Sequence, residues 1–154
     1  MRRPAREEGS AVIEMVGLSV LLILPVVYLV LSVVRVQAAS FAATQAAREA
    51  GRAFATASDS AAGLRRADAA VALALRDQHV DPRSARTTWV PGSAGCSAPG
   101  VQPRLEPGSR WRVCLVVHVD LPFADAGPFA RSHPLALTLR SQYLLDIDDY
   151  RSTP

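Results

Sequence analysis

Hydrophobic positions fall along the chain in three regimes, and each predicts a different element. Met15 to Val34 reads MVGLSVLLILPVVYLVLSVV, twenty residues without a charge. As a helix this block spans about 30 Å, the thickness of a bilayer's hydrocarbon core. Its leucines, valines and single isoleucine each favour insertion by roughly 0.3–0.6 kcal/mol, or about 4–8 kcal/mol together. Pro25 and the two serines offset part of this, although membrane helices accommodate a proline as a kink. The pattern predicts a transmembrane helix over residues 10–35. A cleaved secretory signal peptide is the alternative, with Val36-Gln37-Ala38 as a small-residue cleavage site. Its apolar core would have to be roughly 7–15 residues, shorter than the block present.

The second regime is alanine-rich and free of proline. From Val36 to Ser58 the composition favours helix, because alanine has the highest helix propensity. The membrane helix is therefore expected to continue outward as one rod over residues 36–58. Thr44, Gln45, Arg48, Glu49 and Arg52 share one face, with Ala39, Ala42, Ala43, Ala46, Ala50 and Ala53 largely elsewhere. The small residues allow either close packing of another backbone or a plain solvated helix. Leu64, Ala67, Val71, Ala74 and Leu75 then mark the apolar stripe of a second helix, from Asp59 or Ser60 to about Gln78. Asp59 or Ser60 can cap its N-terminus.

Past His79 the period changes from helical to alternating. Prolines and glycines punctuate residues 82–108. Arg86 to Val90 predicts a short strand. Arg110 to Leu121 predicts a long one, with Trp111, Val113, Leu115, Val117, Val119 and Leu121 on one face. Leu135 to Ile147 repeats the alternation, with Ser141 as the exception. Alternation with one apolar side implies an antiparallel sheet. Helices followed by strands give an α+β class, with residues 59–154 as the outer domain.

Composition narrows the functional classes. All 17 basic residues are arginine, and lysine and asparagine are absent, a bias that looks like a high-GC bacterial genome. The net charge of +3 is spread without a basic run, so nucleic acid is not an expected partner. Arg2, Arg3 and Arg6 precede the span and favour a cytoplasmic N-terminus. Arg35, Arg48 and Arg52 follow it, so the asymmetry is modest.

Glu14 stands at the edge of the apolar block, where a carboxylate is costly and usually functional, the other reading being that it simply snorkels outward to the membrane surface. A short basic leader, residues 1–9, ends at Gly9 five residues earlier. Cutting the Gly9–Ser10 bond would free an α-amine on Ser10. On a helix that amine and Glu14 are i and i+4, so each charge gains a counter-ion. A neighbouring subunit's Glu14 can accept the same amine, which would register helices against one another. Gly9, the small Ser10 and Glu14 resemble the prepilin-type signal. The stretch Gly9-Ser-Ala-Val-Ile-Glu14-Met15 is similar to that of TadE-like proteins of tight-adherence (Flp) pilus systems. Met15 stands where such proteins commonly carry phenylalanine, and Glu7-Glu8 where a basic residue is more usual. Asp120-Leu-Pro-Phe123, Leu137-Thr-Leu-Arg-Ser-Gln-Tyr and Asp146-Ile-Asp-Asp-Tyr-Arg151 resemble the C-terminal half of the same family. The resemblance implies a pseudopilin or minor pilin, single-pass in the cell membrane with its C-terminal domain outside. Its implied partners are the lipid bilayer, a prepilin peptidase, other pilin or TadE-like subunits and pilus platform proteins. A membrane-tethered binding or sensor module, with the helix as a simple anchor, is the alternative.

Cys96 in the loop and Cys114 in the long strand would meet oxidising conditions outside the membrane, where they are expected to form a disulfide. Two unpaired thiols are the other possibility. Cys114 shares its strand face with Val116 and His118, so the loop would have to fold over that side. No catalytic or metal site is expected. His79, His118 and His133 are dispersed, and His118 stands about 13 Å from Cys114 along a strand. Gly92-Ser93-Ala94-Gly95 lacks the strand–turn–helix setting of a nucleophile elbow. Asp146, Asp148 and Asp149 read as solvated strand-end carboxylates. No cofactor is implied, and an enzyme is not expected.

Overall fold

Nothing between Glu8 and Ala55 interrupts helix except Pro25, and the chain forms one 48-residue helix there, α1 (Glu8–Ala55). The computed structural model describes residues 8–121 and 136–150, with side chains from residue 11 onward. Of the sequence expectations, those on leader residues 1–7 and on Phe123, His133, Leu135 and Arg151 lie outside the described residues. At about 1.5 Å per residue α1 is about 72 Å long. The two serines of its apolar part are satisfied within the helix. Ser19 Oγ donates to the Met15 carbonyl and Ser32 Oγ to that of Tyr28, both at 2.8 Å, as a helix in hydrocarbon requires.

The two halves of α1 have opposite surroundings. Large apolar side chains from Val12 to Val34 are exposed all round the shaft. From Ala39 the helix is buried: Ala39, Ala42, Ala43, Ala46, Ala47, Ala50 and Phe54 are at most 1% exposed. Of the two roles open to the alanines, the packing one holds. These small side chains let two layers approach one helix at once. α2 (Ser60–Asp77) lies along α1, and the second and third strands pack against it as well. The rod over residues 36–58 is thus not a spacer outside the domain; it is the domain's core, ending at Ala55.

α2 presents Gly63, Ala67, Val71, Ala74 and Leu75 to the interior; the last four belong to the expected stripe, whereas its first member, Leu64, is only partly buried at the edge of the core. Asp59 caps it, its carboxylate accepting from Ala62 N–H at 2.8 Å. That bond and one from Ser58 hold the Asp59 carboxyl below its ordinary value of 3.8. A lowered folded-state value means the cap stabilises fully above pH 3.8 and is lost as pH falls through the folded value. Asp59→Ala is therefore expected to lower the melting temperature at pH 7, with the difference from wild type shrinking as the pH falls below 3.8, as thermal scans across pH would read.

A short 3₁₀ turn (Pro82–Ser84) leads into β1 (Ala85–Pro91), followed by β2 (Arg110–Asp120) and β3 (Ala136–Asp146). The sheet is antiparallel with order β1-β2-β3. β1 and β3 begin and end within one or two residues of the expected strands, and Ile147, expected in β3, is buried just beyond it. One row of the register, Trp89–Val113–Tyr143, faces α1. Trp89 meets Phe54 with ring centroids 4.8 Å apart. Two glycines permit the close approach: a Cβ on Gly51 would lie 2.6 Å from the Tyr143 ring, and one on Gly63 2.8 Å from that of Phe54.

Candidate functional site

The N-terminal half of α1 is the part of the molecule that the fold leaves uncovered. Gly9 and Ser10 lie in its first turn, where backbone N–H groups have no intrahelical acceptor. Cleavage between them would make Ser10 the helix's first residue, and the helical backbone places it and Glu14 one turn apart. The Glu14 side chain is exposed, with no hydrogen-bond or ion-pair partner among the described residues. From Glu14 to Arg35, the charges that bracket the apolar block, the rise is about 32 Å. This one helix is long and apolar enough to cross a membrane.

Burial begins at Ala39, about one turn beyond Arg35. No linker separates the apolar block from the domain, so the domain's base stands next to the end of the block. The α2–β1 connection and the end of β2 form that base. His79 closes α2 with a positive φ of 57°, and its N–H donates to the Arg76 carbonyl at 2.9 Å. His118 Nδ1 lies 3.4 Å from the Ser84 carbonyl. Sequence spacing keeps His79 and His118 apart, but both line one cleft with Arg35. The only cue along the chain is that Arg35 is the first charge after the block.

Cys96 and Cys114 are joined in a disulfide, Cα to Cα 5.6 Å. It lies on the outer sheet face, where Cys114 pairs with Thr88 and Gln142 in the register. The loop after β1 folds over that face, as the position of Cys114 requires. Val101 N–H then donates to the Trp89 carbonyl at the free edge of β1. Farther on, Leu105 N–H donates to Ser60 Oγ at 3.0 Å and Trp111 Nε1 to the Arg104 carbonyl at 2.8 Å. The loop thus wraps from one side of the sheet to the other.

Two of the three strand-end carboxylates have structural partners. Asp146 pairs with Arg110 across β2 and β3. Asp148 accepts from Tyr150 N–H at 2.9 Å. Ala94 N–H closes a turn onto the Pro91 carbonyl at 2.9 Å, so Gly92–Gly95 is a loop turn with no helix behind it. Among the described residues no three His, Cys, Asp or Glu side chains gather as a metal-binding group. Compared with known proteins, the chain matches no family model, no curated protein and no solved structure.

Proposed function

We propose that this chain is a pilin-like, TadE-like membrane subunit that helps assemble a Flp-type pilus or a related secretion apparatus. Its role is structural, not catalytic. A prepilin peptidase removes residues 1–9 on the cytoplasmic side, and the α+β domain stands outside the membrane. The observation that carries this reading is Glu14, exposed and without a partner among the described residues at the head of the apolar helix, one turn from the amine that cleavage at Gly9 would release. A lone carboxylate and a lone ammonium are each costly in hydrocarbon, whereas a pair in or between helices satisfies both. The direct packing of the Ala-rich half into the domain also supports it, because movement of the span is then transmitted to the domain without a flexible joint.

The test separates a registering helix from a simple tether. Glu14→Gln is expected to leave membrane insertion intact while recovery of partner subunits in pull-downs falls about tenfold, the scale of one lost charge-assisted contact. Replacing residues 10–34 with a generic Leu/Ala span is expected to do the same. If both variants recover partners at the wild-type level, the helix is only an anchor.

A further inference from the structure

The geometry points to a phospholipid site at the base of the domain, selective for a headgroup that carries a primary amine. It rests on the membrane-anchoring part of the proposed function and is independent of the pilus role. A cleft of about 430 Å³ opens between the shaft of α1 and the domain's base. Leu31 and Val34 form its shaft wall, 44% and 56% exposed, with Arg35 directly above them. His79, His118 and Asp120 face them from the domain. With Glu14 at one bilayer surface, Arg35 lies about 32 Å away, at the headgroups of the opposite leaflet.

That position gives the cleft an apolar floor at acyl-chain depth and a polar mouth at headgroup depth. Only an amphiphile satisfies both. The Arg35 guanidinium suits a phosphate, to which it can offer two parallel N–H donors. His79 can add a ring N–H donor, and His118, whose Nδ1 faces the Ser84 carbonyl, presents Nε2 to the cleft. Asp120 has no ion-pair partner among the described residues. Asp81, also in the lining, is held by Arg83 at 3.4 Å. Asp120 therefore disfavours a purely anionic headgroup and accepts an ammonium's N–H. Phosphoethanolamine meets both demands, since a trimethylated amine has no N–H to donate and a glycerol headgroup no positive charge.

The full chain would be reconstituted in vesicles of equimolar phosphatidylethanolamine, phosphatidylglycerol and phosphatidylcholine. Lipids retained after mild detergent extraction would then be counted by native mass spectrometry. One phosphatidylethanolamine per chain is expected, preferred about tenfold over the other two. Arg35→Gln should lower retention of all three lipids, while Asp120→Asn should remove the preference and leave retention. Millimolar glycerophosphoethanolamine, the headgroup without chains, should not displace the lipid; displacement would overturn a lipid ligand. Flotation of the same vesicles reports anchoring separately. A chain that does not float overturns the anchor itself. One that floats but retains the three lipids equally, or whose selectivity survives both substitutions, overturns the cleft alone.

Discussion

Phe54→Ala is expected to destabilise the outer domain by about 3–5 kcal/mol, the usual cost of emptying a fully buried aromatic site. Phe54 is 0% exposed in the last turn of α1. Its ring touches Trp89 of β1 on one side and lies against Gly63 of α2 on the other. Three elements therefore meet on one side chain, and none of them can close the gap without leaving its other contacts. Phe41, on the same helix, is 74% exposed and serves as the control. Phe41→Ala should change stability by less than about 0.5 kcal/mol. Denaturant unfolding of the detergent-solubilised chain, followed by tryptophan fluorescence, reads both. A Phe54→Ala loss no larger than that of Phe41→Ala would mean that α1 does not form the core.

Removing the disulfide has the second large effect. Cys96 and Cys114 are 18 residues apart, and opening a loop of that size costs about 3 kcal/mol by the chain-entropy estimate. The double variant Cys96→Ser, Cys114→Ser should unfold at lower denaturant by that amount, and reduced wild type should match it. The fold itself should persist, because Val101, Leu105 and Trp111 pin the same loop by hydrogen bonds that do not involve sulfur. Equal stability with and without reductant would contradict a closed staple in the native protein.

Much of this architecture is legible in the sequence because its signals are local. Twenty uncharged residues before Arg35 define the apolar shaft, the Leu64–Leu75 stripe defines α2, and alternation from Trp111 to Val119 defines β2. The strand face that Cys114 shares with Val116 and His118 even says which side of the sheet the loop must cover. What stays hidden is non-local. Alanine gives the same helical signal whether it faces water or a neighbour, so the sequence leaves Ala39–Ala50 open between rod and core. Gly51 and Gly63 look like weak points in helices until Tyr143 and Phe54 are seen to occupy the space above them. The base cleft is hidden for the same reason: Arg35, His79 and His118 are separated by about 40 residues at each step and come together only when α2 and β2 end at the same level of α1.

On the proposed function, α1 of the mature protein begins at a new amine one turn from Glu14. Intact mass reads this without intermediaries, taken on the chain extracted from membranes of cells that contain a prepilin peptidase. The expected species starts at Ser10, lighter by the mass of residues 1–9, and disappears when Gly9 is replaced by a bulky residue. A chain that keeps Met1–Gly9 in the presence of the active peptidase would contradict it.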